Sequence, residues 1–283
     1  MSKASTAAGT LYVVGTPVGN LQDITLRAIE VLKEVDLIAC EDTRHTQKLL
    51  TYFNIGTSMV SYHEHNERER ATEILAKLKS GGRVAVVSDA GMPGICDPGY
   101  RVVALAVENG VRVVPVPGAS AVVLALAASG LPTDAFGFGG FLPAKSGQRR
   151  EVLEGIAGSS RTEAFYEAPH RVVEALQDLV EVLGGARRVV VARELTKVHE
   201  EFLRGPAAEV LAELEQRAEV KGEITLLIGK AEAGTVVAKI SLRARMEQVM
   251  REESLDEKAA LKKVAKEFGL GKSEAYRQWQ RGK

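Results

Sequence analysis

Short runs of aliphatic and β-branched residues alternate along the chain with longer stretches in which apolar positions recur at helical spacing. The chain opens with a predicted strand at residues 10–14, followed by a helix at 24–35 where Ile24, Ala28 and Leu32 share one face. Alternation of this kind predicts a mainly parallel sheet covered by helices on both faces. Further elements of this first series are predicted strands at 37–40, 59–62, 83–88 and 111–116, and predicted helices at 43–53, 66–79 and 100–108.

A second series of strands and helices follows residue 133. A helix at 119–128 leads into Leu131, Pro132 and Thr133, so we place a domain boundary near residues 117–133. The predicted strand at 200–204 follows its predecessor too closely for a crossover helix, which predicts antiparallel pairs in the second sheet. The second series comprises predicted strands at 136–141, 162–166, 189–193, 200–204 and 223–228, and predicted helices at 149–156, 171–183 and 207–218.

From residue 242 onward the pattern becomes wholly helical, in three pieces that end at Trp279 and offer few apolar residues to bury. Two of these pieces, 255–268 and 273–279, flank Gly269-Leu270-Gly271 and resemble a helix-turn-helix. A length of 283 residues favours two domains of ordinary size. The predicted organisation is a flexible tail at 1–9, an N-terminal α/β domain at 10–120, a C-terminal α/β domain at 121–233, and a helical, basic segment at 234–283.

The formal net charge is zero, because 37 basic residues balance 37 acidic residues. The whole molecule therefore has no large field that would attract nucleic acid. The charge is unevenly distributed, since residues 238–283 contain 12 Lys and Arg against 7 Asp and Glu. This segment is the predicted electrostatic contact with a polyanion, and a packing appendage or a dimer arm is the alternative.

The composition indicates a globular protein, with a hydrophobic share of 45% and a charged share of 26%. The apolar run at 121–128 is much shorter than the ~20 residues of a membrane helix. No apolar core follows Lys3 at the N-terminus, so no secretory signal is predicted. We expect a soluble, cytoplasmic protein without membrane contact.

The cysteines and histidines indicate no metal or redox centre. Cys40 and Cys96 belong to no C-x-x-C pair, so we expect both to be reduced. His63-Glu64-His65 with Glu67 offers ligand types for a metal, but no further ligand pair follows at a recognisable spacing. We interpret this polar run as the start of the helix that reaches Leu78.

Three loops at the carboxyl ends of predicted strands carry unusual residues, and in open α/β sheets ligands bind at such ends. The first loop, residues 15–20, reads Gly-Thr-Pro-Val-Gly-Asn. Its glycines permit close backbone approach to a ligand, although a tight strand-to-helix turn is an adequate explanation. The loop lacks the glycine spacing of a dinucleotide site and the lysine of a phosphate loop.

The second loop, residues 88–99, contains three glycines, two prolines and two aspartates. A plain connection needs about 2 to 6 residues of ordinary turn chemistry, so this loop favours a functional role. Asp97 before Pro98 has an alternative interpretation as a helix N-cap followed by proline at the first helical position. The third loop, residues 115–121, offers Gly118 and backbone donors at a helix start, which suits a carboxylate or a phosphate. Ser120 fits either that role or a capped helix.

Taken together, these motifs resemble those of the tetrapyrrole-methylase superfamily, and specifically its branch of small-subunit (16S) ribosomal RNA cytidine 2′-O-methyltransferases. The resemblance runs from about residue 9 to residue 228 and continues more loosely to the end. It is carried by GTPVGNLQDIT, EDTRHTQKLL, SDAGMPGICDPG and VPGASA, and then by GFLPAKSGQRR, FYEAPHR, ARELTKVHEE and GEITLLI in the same order.

The resemblance implies two α/β domains of the tetrapyrrole-methylase type with the cofactor cleft between them, plus a small helical C-terminal segment. It implies S-adenosylmethionine as the cofactor, ribosomal RNA or the small ribosomal subunit as the substrate, a homodimer, and methyl transfer by in-line displacement without a metal. The family pattern usually has Ser where Cys96 stands, so a hydrogen bond assigned to that side chain is weaker here. Carried over residue by residue, the cofactor contacts are Pro17, Gly19, Asp89, Ala90, Gly91, Pro93, Ile95, Cys96, Ala119 and Ser120.

Methyl transfer to a hydroxyl also needs groups that accept the proton and contact phosphates. Glu167, Arg44 and Lys145 are the predicted catalytic residues, with Glu167 and Arg44 preferred over His199. For each candidate alone, a solvated surface pair is the commoner role, and the identity of the proton acceptor is left open. The full set of candidates is Glu41, Asp42, Thr43, Arg44, Lys145, Glu167, His170, Arg171, Arg193, Glu194, Lys197, His199 and Glu200.

The nearest alternatives share the fold: a precorrin or uroporphyrinogen methylase, or a diphthine synthase that acts on a protein. The EDTRHT and FLPAK segments and the basic C-terminal segment suit a polyanion better than a porphyrinoid. A non-enzymatic regulator that binds nucleic acid through the C-terminal helices is an alternative of another class. That alternative assigns no function to the loop-rich α/β part of the chain.

Overall fold

The computed structural model describes residues 9–232, 242–252, 255–268 and 270–280. The chain divides into two compact units. The first consists of the chain up to Ala128 together with Glu194–Glu200, and the second of Ser129–Arg193 with the chain from Glu201 onward. The predicted flexible tail, except for Gly9, and the predicted border at residue 234 lie outside the described residues.

The first unit is an open parallel sheet. Its elements in chain order are β1 (Thr10–Val14), a 3-10 turn (Leu21–Asp23), α1 (Leu26–Glu34), β2 (Leu37–Cys40), α2 (Thr43–Tyr52), β3 (Met59–Ser61), α3 (Glu67–Lys79), β4 (Arg83–Val87), α4 (Tyr100–Glu108), β5 (Arg112–Val116) and α5 (Ala121–Ser129). The strand order is β3-β2-β4-β1-β5 and these strands pair in parallel, as predicted. Helix α5 lies in this unit except for Ser129.

Side-chain caps set the first residues of α1 and α2. The helix predicted at 24–35 begins only at Leu26, because the 3-10 turn comes first and Thr25 caps α1. The Thr25 hydroxyl accepts a hydrogen bond from the Ala28 N–H at 3.1 Å. Asp42 caps α2 in the same way, accepting from the Arg44 N–H at 2.8 Å. Caps of this kind stabilise a helix by about 1 kcal/mol each.

The strands of the first sheet are apolar on both faces because helices cover both. On one face, Leu32 of α1 and Leu50 of α2 join Ile38 in a buried cluster. On the other face, Leu78 of α3 packs in a separate cluster with Val86. Burying an aliphatic side chain of this size contributes about 1.5–3 kcal/mol, so the two layers hold the strand ends in fixed positions.

The second unit contains a mixed sheet. Its elements are β6 (Phe136–Phe141), α6 (Ser146–Gly155), β7 (Thr162–Glu167), α7 (Val172–Leu183), β8 (Arg188–Arg193), β9 (Glu201–Pro206), α8 (Ala207–Glu215) and β10 (Ile224–Ile228). The strand order is β6-β7-β10-β8-β9. Only the β6–β7 pair among these strands is parallel, which confirms the predicted antiparallel pairs.

The C-terminal part forms three helices, α9 (Leu242–Glu252), α10 (Glu257–Glu267) and α11 (Lys272–Gln280). The expectation that they have little to bury is wrong. Met246, Leu261, Val264 and Trp279 form a buried cluster of their own, because these apolar residues lie on the helix faces turned toward each other. Gly269 of the predicted turn lies outside the described residues. None of the helices in the described ranges is long and apolar enough to cross a bilayer.

A buried ion pair ties α6 to α7 in the second unit. The Arg149 side chain is 2% exposed, and its Nε donates to Oδ2 of Asp178 at 2.7 Å. The same guanidinium donates to the carbonyl oxygens of Pro143 at 3.4 Å and Ala144 at 3.3 Å. The Ser146 hydroxyl donates to the other oxygen of Asp178 at 2.9 Å. This network therefore orders the segment that precedes α6.

Replacing Asp178 should be costly, because it would leave the Arg149 charge buried without its partner. We expect Asp178→Ala to lower the free energy of unfolding by about 3–5 kcal/mol. Glu174 is a matched control, since its side chain is 67% exposed and 3.9 Å from the same guanidinium. Glu174→Ala should cost no more than about 1 kcal/mol. Urea denaturation measures both, and equal losses would contradict a role for burial.

Candidate functional site

The strand order of the first sheet brings the three predicted loops together. The first loop follows β1, the second follows β4 and the third follows β5, and these three strands are neighbours in the sheet. Because the strands are parallel, their carboxyl ends meet at one edge. The hydrophobic pattern predicted the loops, and the pairing of the strands makes them one site.

Glycines allow the first and third loops to touch. A Cβ added to Gly118 would lie 2.6 Å from the Cα and carbonyl carbon of Gly15. A Cβ added to Gly15 would lie 2.7 Å from the Cα of Gly118 and 2.6 Å from the Sδ of Met92 in the second loop. Such contacts exclude any larger residue at either position without displacement of backbone. The two loops are in direct backbone contact for that reason.

The first and second loops are joined by backbone hydrogen bonds. The Thr16 N–H donates to the Gly91 carbonyl at 2.9 Å, and the Gly91 N–H donates to the Thr16 carbonyl at 3.2 Å. The Thr16 hydroxyl also donates to the Ser88 carbonyl at 3.1 Å. Gly91 has a φ of 82°, a conformation that favours glycine. The ends of both loops are thereby fixed relative to each other.

Several residues of the second loop adopt the left-handed backbone conformation. Gly94 (φ 82°) and Gly99 (φ 149°) adopt positive φ, and so does Cys96 at 62°, where a side chain makes the conformation less favourable. The interpretation of Asp97 as a helix N-cap is wrong. Helix α4 begins at Tyr100, its N-cap is Gly99, and no side chain caps it. Asp97 is therefore available for a role other than capping.

A segment far along the chain completes the first loop, and the sequence pattern did not predict it. Residues 194–200, between β8 and β9, belong to the first unit. A Cβ on Gly19 would lie 2.5 Å from the Leu195 carbonyl oxygen and 2.8 Å from the Thr196 hydroxyl. Glu194 (φ 52°) and Thr196 (φ 64°) both have positive φ. The only signal in the sequence was the charged motif ARELTKVHEE, which does not indicate where the segment packs.

A group of carboxylates lies beside the second loop. Burial is the main cause that raises the pKa of Asp97 to about 6; a hydrogen bond from Ser88 opposes the increase and the charge of Asp89 adds to it. Burial, followed by the negative charges of Asp97, Asp89, Glu64 and Asp42, raises the pKa of Glu41. The Asp89 side chain accepts a hydrogen bond from the Asp42 N–H at 3.1 Å. Glu41 and Asp97 both line a cavity of about 520 Å³. Mutual repulsion in this group favours binding of a cation.

All ten predicted cofactor contacts lie on the three loops at this edge of the first sheet. Gly91 and Pro93 are buried, whereas Ala90, Ile95 and Cys96 are exposed. Ala119 and Ser120 directly precede α5, whose first N–H groups have no partner within the helix. The remaining predicted contacts, Pro17, Gly19 and Asp89, lie in the first and second loops.

The three predicted catalytic residues lie in different places. Arg44 is in the first unit, where its side chain is 89% exposed and pairs with Asp42 at 2.8 Å. Lys145 is an exposed residue at the N-cap position of α6 in the second unit. Glu167 ends β7 in the second unit with a fully buried side chain, and Arg171 pairs with its Oε1 at 2.8 Å. Among the residues that the structure describes, none is a hydrogen-bond partner of Oε2 of Glu167.

Several of the remaining acid–base candidates are paired, and most of these are partly buried. Arg193 donates to Glu201 at 2.9 Å, and Lys197 donates to Glu194 at 2.8 Å. Glu200 accepts from the Thr196 N–H at 2.7 Å. Thr43 begins α2, and His170 and His199 are exposed. Within the described ranges, no group of three or more His, Cys, Asp and Glu side chains is arranged to hold a metal ion, and Cys40 and Cys96 are free.

The arrangement of two α/β units with loops at one sheet edge agrees with a known family. The family model for tetrapyrrole (corrin/porphyrin) methylases matches residues 10–211. The chain belongs to the tetrapyrrole methylases. This methylase is 54% identical to the ribosomal RNA small subunit methyltransferase I of Vibrio cholerae over 229 residues, 80% of each chain. It is 46% identical to the protein of the same name from Synechocystis over 270 residues, 95% of this chain and 96% of that one.

Solved structures share the fold of the methylase. One is the uroporphyrin-III C-methyltransferase of Thermus thermophilus in complex with S-adenyl homocysteine, at 20% identity and a TM-score of 0.55. The match covers 78% of this chain and 97% of that one. At this identity the likeness shows the fold alone. It confirms the predicted tetrapyrrole-methylase fold.

The raised pKa of Asp97 predicts how the free energy of unfolding of the methylase depends on pH. The pKa of Asp97 is about 6 against the usual 3.8, so the folded state binds this proton more tightly than the unfolded state. That contribution is fully present below pH 3.8 and is lost as the pH rises through 6. We expect Asp97→Asn to raise the free energy of unfolding at pH 7 by about 1 kcal/mol, a modest value because water screens part of the carboxyl. Urea denaturation from pH 4.5 to 7 should show this difference shrink toward acid pH, and a constant difference would contradict it.

Proposed function

We propose that this methyltransferase transfers the methyl group of S-adenosylmethionine to the ribose 2′-hydroxyl of a cytidine in small-subunit ribosomal RNA. The observation that carries the proposal is the similarity to proteins named ribosomal RNA small subunit methyltransferase I, at 46% identity over 95% of the chain. The motifs that carry the resemblance to the 2′-O-methyltransferase branch lie within the same region. A porphyrinoid substrate is not favoured by that comparison.

The cofactor is proposed to bind at the three loops of the first unit. S-adenosylmethionine combines a carboxylate, an adenine that needs backbone partners, and a positively charged sulfonium. The N–H groups at the start of α5 can bind the carboxylate. The group of Asp89, Asp97 and Glu41 can stabilise the cation, since repulsion among these side chains is relieved when a positive charge binds. The residues present therefore fit the cofactor.

When bound, S-adenosylmethionine supplies an electrophilic methyl group, and the protein has to align the attacking oxygen with it. Positioning of this kind can lower the barrier by about 7–11 kcal/mol without a metal. We assign the contact with RNA phosphates to Arg44 and Lys145, which are exposed cations. We assign the hydroxyl proton to Glu167, because its buried Oε2 has no hydrogen-bond partner among the described residues and a buried carboxylate oxygen without a partner favours binding of a donor.

Other parts of the proposal concern partners. A ribosomal substrate implies a cytoplasmic location, and the family implies a homodimer without a metal. The C-terminal helices carry many basic residues and are proposed as a further contact with RNA. Loss of these helices should flatten the dependence of RNA affinity on salt, because each phosphate contact contributes about −0.7 to −0.9 to that slope.

The acceptor atom can be tested with a modified substrate. The wild-type enzyme and labelled S-adenosylmethionine first map the methylated nucleotide in small-subunit RNA. A matched RNA with a 2′-deoxy sugar at that nucleotide should accept no methyl group, because the 2′-oxygen is the proposed nucleophile. An RNA that lacks the base amino group at the same position is the control and should still be methylated. Methyl recovered on a base or on protein would contradict the proposed function.

The contact between the first and third loops predicts a cofactor-binding variant. Gly118→Ala would place its Cβ 2.6 Å from the backbone of Gly15. Because atoms cannot approach this closely, the substitution has to push the first and third loops apart. We expect the affinity for S-adenosylmethionine to fall at least about tenfold, since misplaced backbone partners are lost. Gly56→Ala is the control, because no atom in the described part of the chain lies within 4 Å of its added Cβ. Calorimetry measures affinity and a thermal melt reports folding. Unchanged affinity in Gly118→Ala would place the cofactor elsewhere.

A further inference from the structure

Helix α2 presents a basic and aromatic face in the first unit. Arg44, Lys48 and Tyr52 are spaced four residues apart, so they lie along one side of the helix with about 6 Å between successive members of the row. All three are exposed, and the helix contains no Asp or Glu. Arg44 is paired with Asp42, whereas the part of the chain that the structure describes gives Lys48 no ion-pair partner. The face therefore has a net positive charge that ends at an aromatic ring.

This face leads into a surface cavity of about 760 Å³. The cavity is lined by residues 19–22, by Tyr52 and by residues 196–199, and no carboxylate is among them. Apolar surface is unusually exposed here: Leu21 is 37% exposed, Tyr52 57% and Val198 96%. The cavity is shallow and open to solvent, so it can admit a flat group such as a nucleobase without enclosing it. The cavity shares Gly19 and Asn20 with the first loop, so it adjoins the proposed cofactor site.

The walls of the cavity are held in place before any ligand binds. The Tyr52 ring meets the Phe53 ring edge-on, with centroids 4.8 Å apart, and Phe53 packs against the buried cluster of that sheet face. In the segment at 194–200, which supplies other lining residues, Glu194 accepts from Lys197 at 2.8 Å and Glu200 accepts from the Thr196 N–H at 2.7 Å. The two acidic side chains of this segment are thus satisfied by it and do not line the cavity. Pre-organised aromatic surface binds at a lower entropic cost.

We propose that the α2 face and this cavity bind a single-stranded RNA segment next to the methylated nucleotide. Tyr52 stacks on a base in the cavity, and Lys48 contacts a phosphate of the same strand. Aromatic rings beside a cationic track are the usual means of binding single strands without sequence preference. The proposal rests on the proposed function and adds to it the place where the substrate strand runs.

The test compares four single variants with the wild-type protein. Affinity for a fluorescein-labelled, twelve-nucleotide single-stranded oligoribonucleotide is measured by anisotropy over a range of salt, and KM is measured for methylation of small-subunit RNA. Tyr52→Ala should weaken binding about 5- to 100-fold and raise KM, whereas Tyr52→Phe, which keeps the ring, should stay within about twofold of wild type. Lys48→Gln should reduce the salt slope by about 0.7. Lys33→Gln, on the exposed side of α1, is the charge control and should change neither.

Affinity for S-adenosylmethionine should be unchanged in all four variants, because these side chains are at the surface. The thermal melt should stay cooperative in all four, with at most a small decrease in Tyr52→Ala, which loses its edge-on contact with Phe53. If Tyr52→Ala, Lys48→Gln and the wild type have equal RNA affinity and KM and methyl transfer is intact, the proposed RNA-binding surface is wrong and the proposed function stands. Failure of the wild-type protein to bind the oligoribonucleotide would overturn it as well. A changed oligomeric state of Tyr52→Ala in light scattering, with RNA affinity intact, would assign the surface to a second copy of the chain instead. No methyl transfer to RNA by the wild type would overturn the proposed function and this inference with it.

Discussion

The contact between Gly15 and Gly118 is the constraint on which the candidate site depends. Two backbones can lie this close only when neither residue has a side chain at the contact. The contact fixes the third loop against the first, and the hydrogen bonds between Thr16 and Gly91 fix the second loop against the first in turn. The helices on both faces of the sheet hold the three strand ends beneath these loops. The candidate site consists largely of backbone groups, and their positions therefore depend on the packing of the helices against the sheet below the loops.

The local elements of this fold could be predicted well from the sequence. The strand Thr10–Val14 and the helix Tyr100–Glu108 have the bounds that their apolar spacing predicts, because each is decided by neighbours within a few residues. Strand order could not be predicted in the same way, since pairing joins β1 to β4 and β5 across long stretches of chain. The N-cap interpretation of Asp97 failed because the backbone turns at Gly99 before the helix begins. The core of the C-terminal helices was missed because its apolar residues are contributed by three separate helices.

The second loop and the segment at 194–200 show where local preference is overridden. Cys96, Glu194 and Thr196 adopt positive φ although none is a glycine, and conformations of this kind cost of order 1–3 kcal/mol each. Close to Cys96, several carboxylates are gathered where burial and repulsion disfavour their charge. The buried clusters of the sheet offset these costs. Strain and like charge gathered in one region are more typical of a binding site than of a connection between elements.

The discontinuity of the first unit has a consequence for how the protein is made. Glu194–Glu200 belong to a unit whose other residues end at Ala128, so the chain leaves that unit, forms much of the second sheet and returns. During synthesis the first unit cannot be complete until residue 200 has left the ribosome. Until then Gly19 lacks its neighbours Leu195 and Thr196. Domains that are completed late in synthesis are exposed to misassembly. The order of synthesis thus makes β8 a prerequisite for a finished first loop, although the two lie far apart in sequence.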